Sequence, residues 1–274
     1  MSRSARAVLA LILAALCLFA LCSCHRPDSG GITVAGSTSV QPIAELLADR
    51  YMAEHPGAVI NVQGGGSSAG VRAAMTGAAQ IGMASRNLKP DETGLQTFLL
   101  ARDAIALIVH PSNPIRALSK AQARDIFSGR IRNWQELGGP PGVITCITRE
   151  EGSGTRTAFE DMVMGKDTEI SGDCIVQDST GAARALVAGD RNGIAYVSLG
   201  MVTPEVAAIT LEGVVPSHEA VLAGKYPLTR PFLLLTKGAP SPAAQAYIDF
   251  VMSPPSQATI LEEGYVPVHS THQP

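Results

Sequence analysis

Aromatic residues and charges are scarce in this chain of 274 residues. Phe, Trp and Tyr make up 4% of the sequence, and Asp, Glu, Lys and Arg make up 16%, with a net charge of −3. Because there is no basic excess, no nucleic-acid partner is expected. Only one long apolar run is present, which excludes a polytopic membrane protein. Hydrophobic residues reach 46% and exclude a disordered chain, so a packed core of mainly Ala, Val, Leu and Ile is expected.

Motifs for nucleotide hydrolysis and metal binding are also missing. No GxxxxGK[ST] phosphate loop is present. The histidines are scattered without the spacing of metal ligands, at His25, His55, His110, His218, His269 and His272. We therefore predict neither a metal site nor a cofactor.

The N-terminus has the pattern of an export signal. Arg3 and Arg6 precede an uncharged apolar run over residues 7–22, which is short for a membrane span and typical of signal peptides. The run ends in Leu21-Cys22-Ser23-Cys24, which resembles the lipobox of bacterial lipoproteins.

This pattern predicts where the protein goes. We expect a lipoprotein signal peptide over residues 1–23, a lipid on Cys24 and a polar tether over residues 24–30. The mature protein would be anchored to a bacterial membrane and face the periplasm or the cell exterior. The alternative is an ordinary secretory signal with Cys24 as an incidental thiol.

Two cysteines remain in the mature chain after Cys24 is assigned to the lipid. Cys146 and Cys174 lie in apolar runs, 143–147 and 174–176, that are candidates for neighbouring strands. An exported compartment permits a disulfide between them, although Cα spacing decides whether it forms. A disulfide and two buried free thiols both remain open.

The mature chain alternates between strand and helix patterns. Helices are predicted over residues 40–52, 71–77, 156–164 and 182–188, with Ser and Thr before Pro42 as the cap of the first. Strands are predicted over residues 32–35, 58–62, 80–84, 143–147, 174–176 and 194–197. This alternation predicts an α/β protein with mainly parallel strands.

Three glycine loops, each between a strand and a helix, share one chemistry. They are Gly36-Ser37-Thr38-Ser39, Gly66-Ser67-Ser68 and Gly152-Ser153-Gly154-Thr155. Glycine lets backbone amides turn inward, helix N-termini add partial positive charge, and hydroxyls add donors. Arg149 precedes the third loop and could add a bidentate charged fork. Ligands bind at the carboxyl ends of strands in open α/β sheets, so these loops indicate a tetrahedral oxyanion.

An enzymatic alternative comes from the second loop. The segment 66–70 matches GxSxG, the nucleophile elbow of α/β-hydrolases, with Ser68 as the nucleophile. Asp178 and Asp190, then His218 and His269, follow it in the chain. A serine hydrolase would, however, leave the other two loops without a role.

Taken in order, the motifs resemble a known family. The matching segments are Gly36–Ser39, Asn61–Gly70, Ile126–Gly129, Asn133-Trp134, Arg149–Arg156, Tyr226–Pro231, Ser253–Gln257 and Gly264–Pro267. They resemble the PstS-like phosphate-binding proteins of bacterial ABC transporters, which are type II periplasmic-binding proteins. The resemblance spans nearly the whole mature chain.

The resemblance implies a two-lobed fold. Each lobe would be a mostly parallel sheet flanked by helices, and two crossing strands would join the lobes. Lobe 1 would comprise residues 31–109 and 229–274, and lobe 2 residues 110–228. The apolar runs 104–109 and 232–235 are candidates for the crossing strands, and a double crossing makes a hinge that can close on a ligand.

The resemblance also implies a function without catalysis. The chain would be a monomer that captures inorganic phosphate in the cleft and delivers it to ABC permease subunits. The ligand-binding residues implied by position are Thr38, Ser39, Ser67, Arg149, Ser153, Gly154 and Thr155, with Ser37, Ser85 and Arg86 as further candidates. Glu151 would orient Arg149.

One segment departs from the family pattern. Many members have an Asp after the third strand that accepts the proton of hydrogen phosphate and so rejects sulfate. Here Ala84-Ser85-Arg86 occupies that place. Phosphate remains the first choice of ligand, and sulfate or another tetrahedral oxyanion is the alternative.

Overall fold

A computed structural model describes residues 31–268 of the chain. The predictions of a signal peptide, a lipidated Cys24 and a tether lie outside the described residues. Within residues 31–268, no helix combines the length and apolarity needed to cross a bilayer.

Strands and helices alternate along the chain. The strands are β1 Ile32–Gly36, β2 Ile60–Gly64, β3 Ile81–Ala84, β4 Leu95–Val109, β5 Ala117–Leu118, β6 Thr145–Arg149, β7 Ile175–Gln177, β8 Gly193–Ser198, β9 Ala207–Ala208, β10 Thr210–Leu211, β11 Thr229–Lys237 and β12 Val266–Pro267. The helices are α1 Gln41–Glu54, α2 Ser67–Thr76, α3 Lys120–Phe127, α4 Gly154–Phe159, α5 Thr180–Gly189, α6 His218–Leu222, α7 Pro242–Met252 and α8 Pro254–Glu262. A π-helical turn, Glu160–Met164, continues α4.

One mixed sheet runs through both lobes. Its main path is β2-β1-β3-β11-β4-β8-β6-β7. Pairing is parallel among β1, β2 and β3 and among β6, β7 and β8. The central strands β4 and β11 pair antiparallel with each other and with these two parallel groups. The α/β class and the two-lobed architecture predicted from the sequence are confirmed.

The crossing strands extend beyond the predicted apolar runs. Strand β4 begins at Leu95 rather than residue 104, and β11 covers Thr229–Lys237 rather than residues 232–235. The added parts contain charged residues such as Arg102, Asp103 and Arg230. The apolar runs therefore predicted strands that are shorter than the observed ones.

Each lobe has its own apolar core. Leu47, Met83 and Phe232 belong to the core beside β1, β2 and β3. Phe127, Trp134, Phe159 and Tyr196 belong to the core beside β6 and β8. Phe159 stacks on Tyr196 with ring centroids 4.2 Å apart. Both cores therefore combine aliphatic and aromatic side chains.

The two cysteines of the described chain lie at neighbouring strands, Cys146 within β6 and Cys174 directly before β7. Strand β6 pairs in parallel with β7, with Ile147 opposite Ile175. Cys146 and Cys174 are joined by a disulfide, with their Cα atoms 4.6 Å apart. The bond closes the connection that carries the chain from β6 to β7.

The predicted cap of the first helix is wrong. The N-cap of α1 is Val40, and no side chain accepts a hydrogen bond there, although Pro42 does lie in the first turn. The hydroxyls of Ser37, Thr38 and Ser39 make other contacts, with Ser85, Thr155 and Thr180. Local capping preference predicted that these hydroxyls would bond to the first turn of the helix. Tertiary contacts direct them into the space between the lobes instead.

Candidate functional site

Five chain segments meet at one edge of the sheet. Strand β1 ends at Gly36, β3 at Ala84, β6 at Arg149 and β7 at Gln177, while α2 begins at Ser67 directly after the turn that follows β2. Because parallel strands within a lobe end at the same edge, the loops after them become neighbours. This edge is where the two lobes face each other.

A cluster of buried hydroxyls lies on the first lobe. Ser37 Oγ donates to Ser85 Oγ at 2.9 Å, and Ser67 Oγ lies 3.3 Å from Ser85 Oγ. The backbone amide of Ser85 donates to Ser67 Oγ at 3.0 Å. All three side chains are at most 2% exposed. Ser85, one of the further candidates, is therefore the centre of this cluster.

Direct polar contacts hold the lobes together. Ser39 Oγ hydrogen-bonds to Thr155 Oγ1 and to Thr180 Oγ1, both at 2.9 Å. Thr38 Oγ1 lies 3.3 Å from Thr180 Oγ1 and accepts from the Thr180 amide at 3.3 Å. The structure is therefore a closed form in which both lobes contribute to one polar cluster.

Arg149 projects from the end of β6 into this cluster and is 1% exposed. Its Nη1 donates to Thr180 Oγ1 at 2.9 Å, and its Nη2 donates to Thr38 Oγ1 at 3.2 Å. The carbonyls of Gln177 and Asp178 accept from it as well. The guanidinium thus contacts both lobes and is the one predicted cation that reaches the hydroxyl cluster.

The structure contradicts the prediction that Glu151 orients Arg149. Glu150 does so instead, accepting from Arg149 Nε and Nη2 at 3.0 Å each. Glu151 is exposed, because the chain turns here, with the Ser153 amide donating to the Glu150 carbonyl at 3.0 Å. Partial burial raises the pKa of Glu150, although the charge of Arg149 opposes this.

The third glycine loop packs tightly against the first lobe. A Cβ on Gly154 would lie 2.2 Å from Ser67 Oγ and 2.7 Å from Ser85 Oγ, so only glycine permits this approach. Ser153 Oγ accepts from the Arg156 amide at 3.2 Å and caps α4, which leaves its own hydrogen free to donate. Thr155 is buried and contacts Ser39.

Helix N-termini add positive potential. Helix α2 begins at Ser67 and α5 at Thr180, and both first residues are 0% exposed and belong to the cluster. Unpaired amides in the first turn of a helix favour a negative group nearby. Ser153 directly precedes Gly154 of this cluster in the chain. The predicted residues that meet in the cluster are Ser37, Thr38, Ser39, Ser67, Ser85, Arg149, Gly154 and Thr155.

Arg86 is buried but turned away from the cluster. It is 3% exposed and binds Glu92 with two charge-assisted bonds of 2.7 Å. Burial raises the pKa of Glu92, but the hydrogen bonds from Arg86 and Lys89 and their charges outweigh it and hold the pKa below its usual value. The guanidinium of Arg86, one of the further candidates, is therefore already paired with a carboxylate.

Within residues 31–268, no histidine is hydrogen-bonded to Ser68 of the predicted nucleophile elbow. The side-chain partner of Ser68 Oγ in the described chain is Arg86 Nη2, at 3.3 Å, and not a histidine. His218 begins α6 and lines a separate depression with Glu262 and Glu263. His269 lies outside the described residues. The geometry around Ser68 thus gives no support for a serine hydrolase.

Sequence reasoning missed three residues next to the site. Thr180 lies between strand β7 and a helix, as the predicted loops do, but Asp178-Ser179-Thr180 contains no glycine to mark it. Asp103 and Arg230 form a buried ion pair on the crossing strands, with Arg230 Nε 2.9 Å from Asp103 Oδ2. Charged residues within apolar strands were the signal that could have revealed the pair.

Known proteins resemble this chain in sequence and in fold. Residues 23–255 match the model of the PBP superfamily domain. The phosphate-binding protein PstS of Bacillus subtilis (strain 168) is 32% identical over 247 residues, which cover 88% of this chain and 81% of that protein. A candidate phosphate ABC transporter substrate-binding protein from Clostridium perfringens, solved with bound phosphate, has a TM-score of 0.85 and 38% identity over 87% of this chain and 100% of that one.

A further structure agrees with these matches. An ABC-type phosphate transport receptor from Vibrio cholerae has a TM-score of 0.71 and 35% identity, covering 86% of this chain and 99% of that one. Sequence, family model and fold therefore point the same way over most of the chain. The chain belongs to the PBP superfamily and, within it, to the PstS-like family of phosphate-binding proteins.

Proposed function

We propose that this protein captures inorganic phosphate between its lobes and delivers it to the permease of an ABC transporter. The observation that carries the proposal is the buried cluster of hydroxyl donors around Arg149, drawn from both lobes. A tetrahedral oxyanion needs many convergent donors, and this cluster supplies hydroxyls, a guanidinium and helix N-termini. The phosphate named for the relatives from Bacillus subtilis and Clostridium perfringens is the ligand that this cluster suits.

Each arginine near the cluster is paired with a carboxylate, which favours anion binding through dipoles rather than through net charge. Glu150 neutralises Arg149, Glu92 neutralises Arg86 and Asp103 neutralises Arg230. Fixed dipoles and hydroxyls must therefore supply much of the attraction, since the net charge of the chain is −3 and repels anions at long range. Sulfate is the second candidate ligand, because each of these carboxylates is already bound to an arginine.

Titration calorimetry with phosphate and with sulfate tests the proposal. The purified protein is first unfolded and refolded in phosphate-free buffer, which removes any anion carried through purification. We expect heat and a raised melting temperature with phosphate. Arg149→Ala should weaken binding by about tenfold to a hundredfold, the effect of losing charge-assisted hydrogen bonds.

Arg132→Ala is the matched control for Arg149→Ala. Arg132 is 70% exposed in its side chain and pairs with Asp173 at the surface, so its loss should leave the affinity unchanged. No heat and no thermal shift with either anion would overturn the proposed function. Equal affinity of Arg149→Ala and the wild type would remove Arg149 from the site.

The proposed membrane anchor rests on the lipobox sequence. The test is Cys24→Ala in the native host, followed by membrane fractionation and labelling with a radioactive fatty acid. The wild type should be labelled and sediment with membranes, whereas the variant should be unlabelled and soluble. A labelled, membrane-bound Cys24→Ala protein would contradict the anchor.

Delivery to a permease is tested by phosphate uptake. A deletion strain should lose high-affinity uptake and regain it with the wild-type gene, while the Arg149→Ala gene should restore less. Unchanged uptake in the deletion strain would favour a sensor or adhesin that uses the same binding fold without transport.

A further inference from the structure

The buried ion pair on the crossing strands lies directly behind the hydroxyl cluster. Arg230 of β11 is the register partner of Asp103 of β4. Arg230 Nε and Nη2 lie 2.9 and 2.8 Å from Asp103 Oδ2, and the two residues are 3% and 1% exposed. Such a pair is often no more stabilising than apolar residues of the same volume, so it calls for a further role.

The pair is connected to both lobes. Asp103 Oδ1 accepts from Ser198 Oγ at 2.8 Å and from the Leu199 amide at 3.2 Å, on the side of the second lobe. On the other side, Arg230 Nη1 donates to the carbonyl and to Oγ of Ser85, both at 3.3 Å. Arg230 is thereby held in place by Asp103 and aimed at Ser85.

These contacts decide what the Ser85 hydroxyl can do. Its oxygen accepts from Arg230 Nη1 and from Ser37 Oγ, and a hydroxyl has two acceptor lone pairs. The hydrogen of Ser85 is therefore the part left to donate, either to Ser67 Oγ at 3.3 Å or to a bound anion. Burial lowers the pKa of Arg230, and Asp103 acts to raise it. The nearby positive charge of Arg149 also lowers this pKa, which agrees with two cations beside one site.

We propose that Arg230 is a positioning residue that, held by Asp103, fixes the Ser85 hydroxyl as a donor to the bound anion and thereby weakens discrimination between phosphate and sulfate. This inference rests on the proposed function. Phosphate carries a proton near neutral pH and gains from an acceptor in the site, whereas sulfate has no proton to donate. A hydroxyl locked as a donor suits an unprotonated oxygen of either anion.

A purely structural role for the pair predicts something different. Loss of an ion pair that only supports the hinge would lower the melting temperature and change both affinities by the same factor. The ratio of the sulfate Kd to the phosphate Kd separates the two roles, because the positioning role predicts a changed ratio and the structural role an unchanged one.

Arg230→Lys is the first test variant. Lysine retains the charge beside Asp103, but its single ammonium cannot replace the guanidinium fork that bonds Asp103 and Ser85 together. Ser85 can then accept the phosphate proton, and we expect the sulfate-to-phosphate Kd ratio to rise by about threefold to tenfold, the effect of one hydrogen bond. Arg130→Lys, in an exposed pair with Asp125, is the control and should leave the ratio unchanged.

Two further variants complete the test. Asp103→Asn with Arg230→Met removes both charges and leaves none unpaired in the interior, and should raise the ratio in the same direction. Ser85→Ala should weaken both anions by a similar factor, and adding Arg230→Lys to it should not change the ratio. Ser85→Ala leaves the ion pair intact and so tests the donor role even if the pair variants do not fold.

The outcomes are distinct. An unchanged ratio in folded Arg230→Lys protein, or Ser85→Ala that weakens phosphate alone, overturns the inference while the proposed function stands. A wild-type protein that binds neither anion overturns the proposed function itself.

Discussion

At the residue scale, each arginine near the cleft has a carboxylate of its own. Arg149 is bound by Glu150, and the buried pairs Arg86–Glu92 and Arg230–Asp103 follow the same rule. Burial of an unpaired charge is costly, so the partners make these cations compatible with the interior. What remains for a ligand is a set of directed hydrogen-bond donors with little free charge.

Thr180 should matter for anion binding, although it lies outside the glycine loops. Its hydroxyl contacts Arg149, Thr38 and Ser39. Thr180→Val keeps the shape and removes the hydroxyl, so phosphate affinity measured by calorimetry should fall by about tenfold. Thr76→Val, at the exposed end of α2, is the control and should bind like the wild type. A wild-type affinity of Thr180→Val would exclude its hydroxyl from the site.

The neighbouring glutamates should differ in their effect on stability. Glu150→Ala leaves Arg149 without its carboxylate, so the free energy of unfolding in urea should fall by about 1–3 kcal/mol. Glu151→Ala removes an exposed side chain and should change it by less than about 0.5 kcal/mol. A larger loss from Glu151→Ala than from Glu150→Ala would contradict the assignment of the orienting carboxylate.

At the scale of elements, the site depends on a helix packed very close to its sheet. A Cβ on Gly70 of α2 would lie 2.5 Å from the Met83 carbonyl oxygen and 2.7 Å from that of Ala35. Both contacts are with backbone, which cannot move as a side chain can. This close approach places the first residue of α2, Ser67, against Ser85 after β3.

Gly70→Ala should therefore destabilise the protein by about 2 kcal/mol or more, the cost of overpacking. Gly181→Ala in α5 is the matched control, because a Cβ there meets no atom within 4 Å. Alanine in a helix should leave stability unchanged or raise it by about 0.5 kcal/mol. Urea unfolding of both variants measures the difference, and equal stability would show that α2 has room to move.

At the scale of the whole molecule, two crossing strands and a disulfide organise the second lobe. Strands β4 and β11 are the only part of the main sheet path that joins the two parallel groups. Strand β7 lies at the end of that path and has three register pairs with β6, the strand that carries Arg149. The disulfide between Cys146 and Cys174 adds a covalent link at this edge.

Loss of the disulfide should lower stability without removing the site. The bonded cysteines are 28 residues apart, and a loop of this size predicts about 3–4 kcal/mol of stabilisation. Cys146→Ala with Cys174→Ala should lower the free energy of unfolding by roughly that amount, and a reducing agent should do the same to the wild type. Phosphate affinity should stay within about threefold while the protein is folded. Unchanged stability of the double variant would mean that the pairing of β6 and β7 needs no covalent support.

Local patterns were enough to predict much of this protein. The alternation of strands and helices predicted the fold class, because side-chain periodicity depends on near neighbours in the chain. The glycine and hydroxyl loops predicted most of the residues that meet in the cluster, since a loop between a strand and a helix ends at a predictable edge of the sheet. The apolar runs around Cys146 and Cys174 correctly predicted that their strands are neighbours.

Contacts between distant residues were decided by the tertiary structure. Thr180 meets Thr38 across 142 positions of the chain, and Arg230 meets Asp103 across 127. The choice of Glu150 over Glu151 depends on how one turn faces the cleft. The sequence by itself determined the elements and the kind of ligand their loops favour, because both depend on local chemistry. Only the packing of the two lobes decided which donors converge and which carboxylates are already paired, because these depend on the relative positions of segments far apart in the chain.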